Sequence, residues 1–268
     1  MSRPWLLLLV FLVAHPAAAQ DGPRPVEVDV ELLLMVDVSR SMTIEEHRIQ
    51  REGYAAALTS EQVLGSIGEG MIGRIALSYV EWAGAGGERV VVDWTEIASP
   101  GDATAFAEAL LLSDPYAVSR TSISSALRFG ADHFDNNGFQ GLRRVIDISG
   151  DGPNNSGGPV LDARQATLNR GIIINGLPIM AFNDGYDRWS VDDLDAYYAA
   201  CVTGGAGSFV IAVQDWPDFA EAIRRKLVLE IAGTLPAPQV IPAQAERYDC
   251  LIGEKIWERN RPAWGTLP

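Results

Sequence analysis

Apolar positions along residues 26–233 switch repeatedly between two periods. Residues 31–36, Glu-Leu-Leu-Leu-Met-Val, form a near-continuous apolar run of the kind expected of a strand covered on both faces. Thr43-Ile44-Glu45-Glu46 then reads as a capping box, in which the threonine and the glutamate three residues on satisfy each other's exposed backbone donors. It predicts a helix running to about residue 66. Residues 75–82 and 90–94 read as strands joined by the Gly84-Ala85-Gly86-Gly87 turn, a hairpin. A short helix over 102–112 follows Ser99-Pro100-Gly101.

The second half keeps the rhythm. Helices are predicted over 122–135 and 162–170, and strands over 145–148 and from 172 to 174. Ser190-Val191-Asp192-Asp193 reads as the cap of a helix reaching Cys201; 209–213 is the last strand and 216–232 the last helix. Strands separated by helices of ten or more residues imply βαβ units. The predicted class is therefore α/β, with a doubly wound, mainly parallel sheet, helices on both faces and one antiparallel edge strand from the hairpin. From Thr234 the prolines at 236, 238 and 242 forbid a continued helix and suggest an extended tail over 234–268.

Residues 1–20 stand apart. Arg3, an apolar run over 5–13 and the small residues Ala17-Ala18-Ala19 have the order of a secretory signal peptide, and that run is too short to span a bilayer. No later segment is apolar for long enough to span one either, so the mature chain is expected to be exported, periplasmic or secreted, without a membrane span. Losing Arg3 leaves 20 basic against 35 acidic side chains, a formal charge of −15. Such a field repels nucleic-acid phosphates, and no basic cluster offsets it. Cys201 and Cys250 are the only cysteines. In an exported protein they read as one disulfide, pinning the tail to the domain and closing a loop worth roughly 4 kcal/mol of chain entropy. Two buried free thiols are the alternative.

Three separated pieces carry candidate chemistry. Asp37-Val38-Ser39-Arg40-Ser41 leaves the first long strand; in extended chain residues two apart face the same way, so Asp37, Ser39 and Ser41 can converge. Thr121 stands at the start of the helix containing Ser124 and Ser125, and Asp151 lies just beyond the strand over 145–148. In a doubly wound sheet the loops past the carboxyl ends of neighbouring strands meet in a crevice where strand order reverses. Two carboxylates and three hydroxyls form an all-oxygen set that suits a hard cation such as Mg²⁺, Mn²⁺ or Ca²⁺. Two carboxylates at most balance its charge, so a free coordination position would favour an Asp or Glu carboxylate from a partner protein.

Asp37-x-Ser39-x-Ser41, then Thr121, then Asp151-Gly152, in this order on alternating strands and helices, resembles the von Willebrand factor A domain over residues 26–233. The resemblance implies a metal-ion-dependent adhesion site. Ser39, Ser41 and Thr121 would contact the ion directly, and Asp37 and Asp151 directly or through water. It implies a binding or adhesion module, in a bacterial exported branch. Arg40, between the two serines, departs from the family pattern and would either weaken the ion or steer an acidic ligand.

Two rival readings use the same residues. One is metal-assisted hydrolysis by Asp37 and Asp151, for which neither a second metal site nor a dedicated base is visible. The other is a structural exported protein whose Asp, Ser and Thr residues only cap helices and turns. Serine nucleophile chemistry lacks support, since His47 and His133 fall on different helices and no G-x-S-x-G elbow is present. Asn154-Asn155-Ser156 matches a glycosylation acceptor, a weak three-residue signal.

Overall fold

A computed structural model of the protein describes residues 24–114, 117–180, 189–233 and 248–260. Its centre is the apolar run read from the sequence. Strand β2 (Glu31–Asp37) is buried at every position, and its side chains alternate between two cores. Leu32, Leu34 and Val36 face a cluster holding Tyr54, Phe106 and Phe219, while Leu33 and Met35 face another holding Ile123, Leu127 and Tyr198. A strand walled on both faces has no room for polar alternation, and that explains the continuous run.

Around β2 the main sheet has the order β4-β3-β2-β6-β7, with β3 at Ile75–Trp82, β4 at Arg89–Ile97, β6 at Arg144–Gly150 and β7 at Ile172–Pro178. β2 is parallel to both β3 and β6, β6 is parallel to β7, and β4 runs antiparallel to β3 as the edge hairpin. Helices α1 (Ile44–Leu58), α2 (Glu61–Gly68), α3 (Pro100–Leu111) and α7 (Phe219–Ala232) supply residues to one core; α4 (Ile123–His133), α5 (Val160–Asn169) and α6 (Leu194–Tyr197) supply the other. The α/β class, the mainly parallel sheet and the antiparallel edge are as the pattern predicts.

Five details differ from the pattern. The helix expected from Thr43 to about residue 66 breaks at Thr59, because Ser60 turns extended and its hydroxyl caps a second helix at Val63. The strand expected over 209–213 is only bridged to β7, at Gly176–Val210 and Ile179–Val213. Pro178 has no N–H to donate, and the side chain of Asn175 takes the Phe209 N–H at 3.1 Å, so the ladder cannot run unbroken. Ser190 does not open a helix; α6 starts after Asp193 and passes into one π-helical turn, Tyr198–Val202. The tail over 234–268 is not wholly extended, for Ile252–Asn260 forms helix α8; its prolines at 236, 238 and 242 lie outside the described residues. A small parallel pair, β1 (Val26–Val28) with β5 (Phe139–Gly141), has no counterpart in the apolar pattern.

Cys201 and Cys250 are joined in a disulfide with their Cα atoms 5.5 Å apart. Beneath the sheet, Lys226 of α7 is wholly buried between Asp147 of β6 and Glu230, with Asn175 donating to Glu230 at 2.9 Å. Burial pushes the Glu230 carboxyl up to about 7, the Asp147 charge adds to the rise, and Lys226 opposes it. Among the described residues no helix is long and apolar enough to cross a membrane.

Candidate functional site

β2 and β6 are adjacent and parallel, with Val36 opposite Ser149, so the residues that follow them emerge side by side at the carboxyl end of the sheet. Asp37 closes β2 and is fully buried. Its Oδ1 accepts the Ser39 N–H at 2.7 Å, fixing the carboxylate to the chain that leaves the strand. Its Oδ2 is buried without a hydrogen-bond partner. Ser39 and Ser41 hydroxyls are 2.9 Å apart, and the Ser39 hydroxyl donates to Asp151 Oδ1 at 3.4 Å. Ser39 and Asp151 are buried, whereas Ser41 lies exposed at the mouth. Gly150 is required beside them, because a Cβ there would stand 3.0 Å from Asp37 Oδ2 and 2.8 Å from the Tyr198 hydroxyl.

Thr121 reaches the same place by a different route. Arg51 and Arg89 converge on buried Glu81 and also donate to the Asp114 carbonyl, at 3.0 and 2.8 Å, anchoring the chain after α3. Further on, the Arg40 N–H donates to the Val118 carbonyl at 3.1 Å and ties that chain to the Asp37–Ser41 segment. Arg120 adopts the left-handed conformation, φ 77°, which reverses the backbone just before Thr121. Thr121 N–H donates to Asn155 Oδ1 at 3.0 Å, and Asn155 N–H donates back to the Thr121 carbonyl at 2.9 Å. That exchange locks the Thr121 loop to the loop of Asp151. The Thr121 hydroxyl lies 4.0 Å from where a Cβ on Gly152 would sit, on the Asp151 side of the crevice. All five oxygen-bearing side chains singled out by the motif thus collect at one end of the sheet.

Burial, and then the neighbouring charge of Asp151, hold the Asp37 carboxyl well above its usual range, against the lowering effects of the Ser39 N–H and hydroxyl and of the Asp151 N–H. Two carboxylates sharing a buried crevice repel each other, and one has an oxygen with no proton donor. The donor set is otherwise hydroxyl; among the described residues no group of three or more His, Cys, Asp and Glu side chains is placed to hold a metal ion. An oxygen set with an unmatched negative charge fits a hard divalent cation and does not resemble a thiolate or imidazole centre. Arg40 is exposed beside the two serines.

Several supporting residues escape sequence reasoning. Gln50 of α1 donates to the Asp37 carbonyl at 3.3 Å. Asn154 is completely buried; its Oδ1 accepts the Ser124 N–H at 2.9 Å and its Nδ2 donates to the Gly158 carbonyl at 2.9 Å. A buried Asn154 is a clamp between loops and no glycan acceptor. Its only signal in sequence is the turn-like run Asp151-Gly152-Pro153-Asn154-Asn155, which does not say what the amides bind.

The model of a family of proteins of unknown function, DUF1194, matches residues 27–235. No curated protein matches the chain. Among solved structures, proximal thread matrix protein 1 of the mussel byssus, with a zinc-occupied metal-ion-dependent adhesion motif, aligns at TM-score 0.57 and 14% identity over 78% of this chain and 49% of its own. A von Willebrand factor type A protein from Catenulispora acidiphila aligns at TM-score 0.52 and 15% identity, over 76% of this chain and 43% of its own. The pilus adhesin SpaC from Lactobacillus rhamnosus GG aligns at TM-score 0.51 and 15% identity, over 78% of this chain and 31% of its own. The chain thus matches less than half the length of each. At such identities the likeness speaks for the fold, which is that of the von Willebrand factor A domain.

Proposed function

The chain belongs to the DUF1194 family, and on that premise we propose that it is an exported binding module holding one divalent cation among Asp37, Ser39, Ser41, Thr121 and Asp151, and capturing an acidic side chain of a partner protein. The observation that carries the reading is the Asp37 carboxylate, buried beside Asp151 with one oxygen lacking any hydrogen-bond partner. Such a group is costly in a protein that has nothing to put next to it. A bound cation supplies the missing positive charge and keeps an attraction for one more anionic oxygen. Ser39, Ser41 and Thr121 would offer it neutral oxygens, and Asp37 and Asp151 would act directly or through water.

Hard oxygen donors favour Mg²⁺, with Mn²⁺ or Ca²⁺ as substitutes. The zinc-occupied motif of the mussel protein supports a divalent ion in this fold without fixing its identity. The chain's own acidity, formally −14, is a weak obstacle to an acidic partner, because charge is screened over about 8 Å at physiological salt. Arg40 at the mouth adds local attraction. The leader-like order of residues 1–20 and the Cys201–Cys250 disulfide support export to an oxidising compartment.

Tagged protein used as bait in extract from its own source is expected to retain a partner in Mg²⁺, to release it in EDTA, and to lose it with Thr121→Ala. Capture that is indifferent to EDTA would remove the ion from recognition. Metal-dependent turnover of phosphoesters or peptides, abolished by Asp151→Ala, would instead favour a hydrolase.

A further inference from the structure

Helix α8 lies beyond residue 235, where the family match ends, yet it packs on the loops that form the crevice. With nine residues it is too short to be stable alone, so its docking contacts hold it helical. A Cβ at Gly253 would stand 2.1 Å from the Asn154 carbonyl oxygen, so the helix backbone lies directly against the loop after Asp151. Beside it, Glu254 Oε1 accepts from Asn154 Nδ2 at 2.7 Å, and the other end of that amide accepts the Ser124 N–H, at the start of the helix that follows Thr121. One turn on, the Arg120 guanidinium lies 4.2 Å above the Trp257 ring, next in sequence to Thr121. Trp257 packs on Trp189 with ring centres 5.1 Å apart, and the neighbouring Ser190 hydroxyl donates to the Asp151 carbonyl at 3.1 Å. The start of this segment is fastened three ways: by the Cys201–Cys250 disulfide, by the Tyr248 hydroxyl on Asp193 at 2.7 Å, and by Tyr248 packing edge-on to Tyr197.

We infer that α8 is a working wall of the ion crevice, with Glu254 and Trp257 as positioning residues that hold the Asp151 and Thr121 loops in ion-binding register. The inference rests on the ion-binding reading above. α8 joins what the topology leaves apart: the loop after β6, the loop before α4 and the segment before α6 meet on its one face. Without it, Asn154 loses the carboxylate that fixes its amide, so its bonds to Ser124 and Gly158 loosen, and Arg120 loses the ring that steadies its unusual backbone conformation.

The test uses the full, disulfide-bonded chain and Mn²⁺ alone as probe. Glu254→Ala is expected to weaken Mn²⁺ binding about tenfold, as loss of a group orienting ligands does, while Glu254→Gln, which keeps the oxygen that accepts from Asn154, stays within about twofold of wild type. Equal affinity of Glu254→Ala and wild type overturns the inference. Amide exchange at Ser124, measured in EDTA, gives a second reading that needs no ion. It is expected to accelerate in Glu254→Ala and not in Glu254→Gln, and unchanged protection also overturns the inference. Wild type that binds no Mn²⁺ would defeat the proposed function, whereas the exchange data would still decide whether α8 positions the loops. Should Glu254→Ala not fold, the same two readouts are taken on wild type reduced by a dithiol. The dithiol closes to its own cyclic disulfide and leaves two thiols on the protein. Faster exchange and weaker Mn²⁺ binding are expected there, and wild-type values overturn the inference.

Discussion

Lys226→Met is expected to cost about 3–5 kcal/mol of folding stability at neutral pH, the range found when one partner of a buried ion pair is removed. Lys226 has no exposed surface, and its ammonium is the cation shared by Asp147 and Glu230. Methionine fills a similar volume, so packing is not the issue. What remains is two carboxylates facing each other away from water. The penalty has a pH signature. Glu230, raised to about 7 by burial foremost, binds its proton more tightly folded than unfolded, where 4.5 is the ordinary value. Its contribution is therefore fully present below about pH 4.5 and is lost as pH rises through about 7. The Lys226→Met deficit should accordingly shrink in acid. Glu230→Gln, which keeps an acceptor for Asn175, should cost no more than about 1 kcal/mol at pH 7. Urea unfolding across pH 5–8 measures all three chains; a Lys226→Met deficit under 1 kcal/mol would show that the cluster is not electrostatically strained.

The second large effect runs against intuition. Asp37→Asn should make the ion-free protein more stable at pH 7, by about 1–3 kcal/mol, because it removes a buried carboxyl charge that has no counter-charge beside it. The asparagine keeps the oxygen that accepts the Ser39 N–H, removes a charge that burial and Asp151 both disfavour, and leaves the crevice otherwise intact. In Mg²⁺ the outcome inverts. Wild type should gain about 2.7 kcal/mol at a hundredfold excess over the dissociation constant, and the variant should gain almost nothing. Thermal unfolding in EDTA and in Mg²⁺ reads both halves. A variant that is less stable in EDTA and still responds to Mg²⁺ would mean that Asp37 is structural.

How much of this could be read from the chain depends on how local each cause is. The apolar run in β2, the Thr43–Glu46 capping box and the Gly84–Gly87 hairpin are written in neighbouring residues, and the structure contains all three. That the loops carrying Asp37 and Asp151 meet is legible, because residues past the carboxyl ends of neighbouring parallel strands emerge together, whereas Thr121 follows no strand of the main sheet and is indicated by the family resemblance. The break at Ser60 was missed because Thr59-Ser60-Glu61 interrupts a helical pattern without Gly or Pro, and only the observed cap reveals it. The bridging of 209–213 depends on Pro178 and on the Asn175 side chain in a different segment. Helix α8 was hidden by the prolines before it, which pointed to extended chain. Glu254, Trp257, Asn154 and Asn155 reach partners up to 137 positions away, as in Thr121–Asn155 and Arg120–Trp257, and no local pattern encodes such contacts.

Everything functional depends on whether the crevice holds a cation. Isothermal calorimetry of the full chain with Mg²⁺, and then Mn²⁺, at neutral pH addresses that directly, with Thr121→Ala as the control that leaves both carboxylates in place. One ion per chain, bound at millimolar concentration or below and lost in Thr121→Ala, is the predicted result. No heat of binding from either ion at millimolar concentration, or binding untouched by Thr121→Ala, would contradict it.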